Sequence, residues 1–281
     1  MSAVIGTPSG AIVTKGGMPR RVAAMVMRYL YLIKGSWARL LDLIYWPIMQ
    51  VVLWGFISRY LAESGANGFF AQAATVLLSA ALLWDILFRS QLGVAMSFLE
   101  ELWSRNLGHL MVSPLRPSEF ALSLFAMSFI RSLIGFTPAS IFAIVFFGVS
   151  IYQLGFVFIL FFFNLAVMGW GIGLALCGMI LRLGMGAEGL VWAFIFALAP
   201  LCGIYYPVEI LPGWCQVIAS VLPARYVFEG MRGILLNGEI HWNLLIHAAA
   251  LNVVYLLGGT AVFLACVRSA RVHGKLLQLG E

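Results

Sequence analysis

Charge is what this sequence lacks first. Between Ser132 and Leu181 there is no Asp, Glu, Lys or Arg over 50 residues, and charged residues make up only 10% of the chain. Soluble domains carry about 25%. With 62% hydrophobic residues and a mean hydropathy of +0.99, the soluble globular classes are excluded. An uncharged stretch of that length is enough for two helical crossings of a bilayer core, at about 20 residues each. A cleavable signal peptide is not expected either, because the first 18 residues are small and polar and lack its apolar block.

The motifs of chemistry are missing too. There is no Gly-rich phosphate loop and no Ser elbow, and His109, His241, His247 and His273 are scattered without metal-ligand spacing. No catalytic group, metal site or cofactor is therefore expected in this chain. With four cysteines, Cys177 and Cys266 fall in apolar runs, while Cys202 and Cys215 lie near the expected outer surface, where a bridge stays open as an alternative to buried thiols.

Acids are fewer than bases, 11 against 17, and the bases are placed unevenly. Residues 1–41 hold Lys15, Arg20, Arg21, Arg28, Lys34 and Arg39 without an acid, and the tail holds Arg268, Arg271 and Lys275. Basic residues flanking spans are retained in the cytoplasm, so both termini are expected there and the number of crossings is even. Windows free of charge, save for Arg131 in the third, give six spans: 43–58, 64–84, 120–147, 155–181, 189–206 and one within 240–267. Arg105, Arg116 and Arg182 then fall inside and Arg59, Arg225 and Arg232 outside, while Arg89 and Arg131 remain at membrane depth. The net charge of +6 is a topology signal and implies no nucleic-acid partner.

Three segments are not spans. Residues 18–36 carry Val22, Met25, Val26, Tyr29, Leu30 and Ile33 at helical spacing with Arg20, Arg28 and Lys34 opposite, the pattern of a helix lying in the headgroup plane. The loop 97–118 carries an apolar stripe of Leu99, Leu102, Trp103 and Leu110 among Glu100, Glu101, Arg105, Asn106 and His109, and is stopped by Pro114 and Pro117. Residues 207–238 contain Pro207, Pro212 and Pro223 together with Glu209, Trp214 and Arg232, and read as two short half-apolar helices hinged at Pro223. They dip into the outer leaflet and return, which makes them a candidate exit gate.

Within the spans, Asp85 and Arg89 are four residues apart and share a helix face, so they can pair. Arg131 needs a partner or water. The glycines of Gly169-Trp170-Gly171-Ile172-Gly173 have the spacing of close helix packing.

This order of elements resembles the type-2 permease subunits of ATP-binding-cassette (ABC) exporters, the group that moves drugs, lipo-oligosaccharides and polysaccharides. The resemblance rests on the basic N-terminal helix, the six spans, EELWSRNLGHLMVSPLRPSEF between spans two and three, and YPVEILPGWCQVIASVLPARYVFEGMRGILLNG before the last span. It implies an all-α permease domain over 37–267, with cytoplasmic segments at 1–36 and 268–281, in a bacterial plasma membrane. It further implies that Glu100–Met111 is a coupling helix docking on a separate cytoplasmic ATPase. Glu100, Glu101 and Arg105 would make charge pairs there, Leu102, Leu107 and Leu110 would pack, and Asn106 and His109 would lie alongside. ATP and Mg would belong to that partner. A second permease, identical or not, would complete a path lined by spans two and five, with Trp84, Asp85, Phe88, Gln91, Trp192 and Phe196 as candidate lining. The mostly apolar lining suits an amphipathic, lipid-linked or glycan-type substrate. A rival class, the stand-alone secondary transporter or channel, commonly shows internal repeats, and none relates residues 37–150 to 154–266.

Overall fold

The computed structural model describes residues 17–64 and 68–272, all helix and turn with no strand among them. The tip of the turn between the first two spans, Lys15 and residues 273–281 lie outside the described residues. In chain order the helices are α1 Met18–Lys34, α2 Trp37–Ser64, α3 Gly68–Trp103, α4 Leu107–Val112, α5 Pro117–Phe147, α6 Phe156–Leu183, α7 Gly189–Leu198, α8 Gly213–Ser220, α9 Pro223–Asn237 and α10 Trp242–Val272.

Five of these, α2, α3, α5, α6 and α10, are long and apolar enough to cross a membrane. The sixth expected crossing, 189–206, is helical only from Gly189 to Leu198, roughly 15 Å at 1.5 Å per residue, or half a bilayer core. From Ala199 the chain continues in turns, with Cys202 N–H donating to Leu198 C=O at 3.1 Å and the Tyr206 hydroxyl to Pro200 C=O at 2.7 Å. The break follows from Pro200, which cannot donate to the helical ladder.

The bundle is built around α3 and α6. α3 is the most enclosed spanning helix, whereas α2 and α10 are mostly surface. The small-residue motif explains how two neighbours reach α6. A Cβ on Gly169 would stand 2.8 Å from the Gln91 backbone nitrogen, and one on Gly173 would stand 2.8 Å from the Gln91 carbonyl, so both glycines admit α3. On the other side Gly171 lies against Gly259 and Tyr255 of α10. Ser128 of α5 locks the centre: its hydroxyl donates to Ser90 C=O of α3 at 2.7 Å and receives the Trp170 indole N–H of α6 at 3.1 Å. Asn252 of α10 donates to the backbone and side-chain oxygens of Asn164 on α6, at 2.9 and 2.8 Å.

A first expectation follows. Gly171→Ala puts a methyl 2.6 Å from the Tyr255 carbonyl oxygen, a backbone atom that cannot rotate away. Overpacking of this kind costs about 1–3 kcal/mol, so a lowered thermal unfolding midpoint of the detergent-solubilised protein is expected. An unchanged midpoint would show that α6 and α10 part without cost.

The reverse turn within the uncharged stretch falls where expected. Gly148, at φ 67°, ends α5 in a left-handed cap, a 3₁₀ turn covers Ile151–Leu154, and Gly155, at φ 59°, starts α6. All four cysteines are free thiols, with Cys177, Cys202 and Cys215 buried.

Candidate functional site

The charged loop expected as one helix from Glu100 to Met111 is not one helix. α3 carries Glu100, Glu101, Leu102 and Trp103 in its last turn and stops there. Asn106 N–H donates to Glu101 C=O at 3.0 Å and Arg105 N–H to Leu102 C=O at 3.0 Å, with Arg105 left-handed at φ 53°. That is the Schellman ending, and its left-handed position is usually glycine. Arginine there costs on the order of 1–2 kcal/mol. The short α4 then carries Leu107, His109 and Leu110.

The bend changes what each residue faces. Glu100 and Glu101 do not offer free carboxylates to a partner. The Glu101 side chain is 1% exposed, with Oε2 accepting from Asn106 Nδ2 at 2.7 Å and paired to Arg28 of α1 at 3.0 Å. Both Glu100 oxygens accept from Arg131 Nη2 of α5 at 3.0 Å, and Arg39 of α2 stands 3.6 Å away. A third acid, the buried Glu119, caps α5 by accepting from the Arg116 backbone N–H at 2.9 Å and takes a bidentate pair from Arg21 of α1, at 2.9 and 2.6 Å. Leu102 and Leu107 are buried in the same core. The exposed surface of the bend includes Trp103, Ser104, Arg105, His109 and Val112, the last 89% exposed.

Electrostatics at this end follow from the pairs. The Glu119 carboxylate holds the Arg21 guanidinium above its usual range. Burial, and next the Glu101 charge, push the Tyr29 phenol up. Met25, Tyr29 and Ile33 bury the inner edge of α1 while Arg21 and Arg28 reach to the acids, so Arg28 does not lie on an outward polar face as the helical pattern suggested. Arg131, expected to need a partner at depth, has one in Glu100.

Trp84, Asp85 and Gln91 are buried within the chain, because α3 is surrounded on most sides by α2, α5, α6 and α9. They line no open surface here. Asp85 and Arg89 pair as expected, at 2.8 Å, with side chains 5% and 8% exposed. Gln91 donates to Val191 C=O of α7 at 3.1 Å. Phe88 is only partly covered and meets Trp192 and Phe196 of α7 at 6.0 and 5.9 Å between ring centroids. Those two rings are 44% and 60% exposed, so these three aromatics form the surface patch.

At the opposite end the two short helices hinged at Pro223 are present as α8 and α9. The apolar residues of α8 face outward: Trp214, Val217, Ile218 and Val221 are exposed, while Cys215, Ala219 and Leu222 meet the bundle. A 3₁₀ turn after Pro207 carries the exposed Glu209, and Gln216 pins it by donating to the Glu209 and Leu211 carbonyls. Pro212 caps α8 and Pro223 opens α9. Arg232 donates to Gly203 C=O at 2.7 Å and to Ile204 C=O at 3.4 Å, so it satisfies carbonyls that the turns after α7 leave without helical partners.

Among the described residues no cluster of His, Cys, Asp and Glu could hold a metal ion. Sequence reasoning missed Arg21, Glu119, Val112 and Glu188, whose carboxylate accepts from the Trp103 indole N–H at 3.2 Å. Only Glu119 left a legible signal, an acid three positions into a helix whose first residue is proline.

A bundle of long apolar helices, with three of its few acids, Glu100, Glu101 and Glu119, tied to arginines at one end, defines a polytopic α-helical membrane protein. A family profile described as ABC-2 type transporter matches residues 21–236, and the chain belongs to that family. It is accordingly a permease subunit of an ABC transporter, working with an ABC ATPase. A comparison with curated proteins finds no match.

Proposed function

We propose that this chain is the transmembrane subunit of an ATP-driven exporter. With a second permease, it forms the path for an amphipathic, lipid-linked or glycan-type substrate, and a separate cytoplasmic ATPase binds the ATP and Mg. The observation that carries this reading is the buttressed bend between α3 and α4. Its inner side is tied to α1, α2 and α5 through Glu100 and Glu101, while Trp103, His109 and Val112 are left outward. A docking surface backed by rigid pairs moves the helices behind it when the docked protein moves.

The α1 end is then cytoplasmic, in a bacterial plasma membrane, with α1 at the headgroups. The outward apolar face of α8 meets lipid in the outer leaflet, and α8 and α9 close the exit. Phe88, Trp192 and Phe196 supply the apolar lining, which fits an amphipathic molecule better than a bare ion. Closure of the ATPase pair pushes α4, the push passes to α1, α3 and α5, and the path opens outward.

The test is co-purification with an ABC ATPase co-expressed with this chain, followed by ATP hydrolysis in lipid. Val112→Asp places a charge on an 89% exposed apolar contact outside the bundle's own packing. Buried interface contacts of this kind are worth about 1–3 kcal/mol, so association is expected to weaken about tenfold or more while the thermal midpoint of the isolated permease holds. No complex with any ABC ATPase would end the exporter reading.

A further inference from the structure

The segment least explained by the coupling reading is α7. It is short, and it carries two of the three aromatics of the surface patch. It ends in turns after Leu198, and it begins after a 3₁₀ turn at Met185–Ala187. Helix α3 engages it at three levels. Outermost, the Trp103 indole N–H donates to Glu188, the residue preceding α7, at 3.2 Å. Deeper, Gln91, fully buried, donates to Val191 C=O at 3.1 Å. Deepest, Phe88 packs against Trp192 and Phe196.

These contacts run along one antiparallel seam, and the outermost starts on the last residue of α3, where the chain bends into α4. Gln91 can hardly move independently, because Gly169 and Gly173 of α6 press on its backbone nitrogen and carbonyl. The Trp103 ring meanwhile lies on the exposed side of the bend, 46% accessible, where a docked protein would reach it first.

We propose that Trp103, Gln91 and Glu188 are positioning residues that strap α7 to α3, so that the two helices of one subunit travel as one body through the transport cycle. The aromatic patch is then a preassembled wall that does not come apart. The path opens between this subunit and its partner, and α3 and α7 do not separate. The proposal rests on the exporter reading, since it is the ATPase that would drive the movement.

The experiment uses the full chain with its ATPase in lipid nanodiscs, with and without trapping by ATP and vanadate. Nitroxide labels at Ser104→Cys and Leu190→Cys, in transporters diluted so that one subunit is labelled, report the α3–α7 distance. Hydrogen exchange reports residues 189–198 and 207–238. In the unmodified seam the labelled distance is expected to stay fixed on trapping while exchange in 207–238 changes. In Glu188→Ala combined with Gln91→Leu, which cuts both hydrogen bonds of the seam without touching the docking surface, exchange in 189–198 is expected to rise several-fold. The nucleotide-linked change in 207–238 is expected to be lost although ATP hydrolysis and the thermal midpoint persist, a combination that a merely structural role would not produce.

Glu188→Ala removes only the exposed link and serves if the double replacement fails to fold; it is expected to reduce the same nucleotide-linked change. A labelled distance that shifts on trapping in the unmodified seam overturns the proposal. So does an outer response that survives these replacements. Absence of any nucleotide response in the unmodified chain refutes the exporter reading itself, and the strap falls with it.

Discussion

Replacing Arg89 by methionine is expected to destabilise the bundle by about 3–5 kcal/mol, the cost of stranding one partner of a buried ion pair. Asp85 is 4% exposed and its carboxylate accepts from Arg89 Nε at 2.8 Å within one turn of α3. The guanidinium also lies on the α5 backbone, since a Cβ on Gly135 would stand 2.7 Å from Arg89 Nε. Methionine fills much of the arginine stem's volume but leaves the carboxylate unpaired in an apolar interior. Asp85→Leu with Arg89→Met removes both charges together, and replacing a buried pair by apolar side chains of similar size is often close to neutral. The double variant is therefore expected to recover most of the lost stability, read as the unfolding midpoint in a denaturing-detergent titration. If the single replacement costs no more than the double, the pair is not a structural unit, and Asp85 becomes free for a role in the path.

Asp85 and Arg89 show what the sequence makes legible. Spacing of four on a helix determines a shared face, and two opposite charges in an apolar run have few other partners, so the pair could be read before any fold was known. The same holds for the glycines of α6, whose spacing announces close packing although it does not say that Gly169 and Gly173 face α3 while Gly171 faces α10. The turn at Gly148–Gly155 and the hinge at Pro223 were legible because glycine and proline act locally.

What was not legible depends on rotation and on non-local partners. α3 is apolar all round, so periodicity cannot say which side is enclosed, and Trp84 and Gln91 were assigned to a path that the packed helix does not leave open at their positions. The end of α3 at Trp103 was hidden because Arg105 holds a left-handed position where glycine would have given it away. Without that break, Glu100 and Glu101 look like the outer face of a surface helix. Their partners are 73 and 31 residues away in sequence, Arg28 for Glu101 and Arg131 for Glu100, and no local pattern links them. The short α7 was hidden in the same way, since hydropathy continues through Tyr206 although the helix does not.

The internal position of Glu101 gives the second large effect. Glu101→Arg places a second cation beside Arg28, in a pocket where the glutamate side chain is 1% exposed, and it removes the acceptor that Asn106 uses to close the bend. Loss of a buried partner together with like-charge contact is expected to cost about 3–5 kcal/mol, discounted somewhat because the Arg28 side chain is 39% exposed and screened. The expected result is a lowered unfolding midpoint of the permease alone, and in the complex a loss of ATPase stimulation. A contact with the ATPase and a contact within the permease predict different rescues. If Glu101 pairs with Arg28, the exchange Glu101→Arg with Arg28→Glu restores opposite charges across the same 3.0 Å gap, and both stability and stimulation return in part. If Glu101 instead met a basic residue of the ATPase, the exchange would leave that residue facing an arginine, and stimulation would stay lost whatever the stability. Measuring both quantities on these two variants therefore separates a strut that transmits the movement from a surface that receives it.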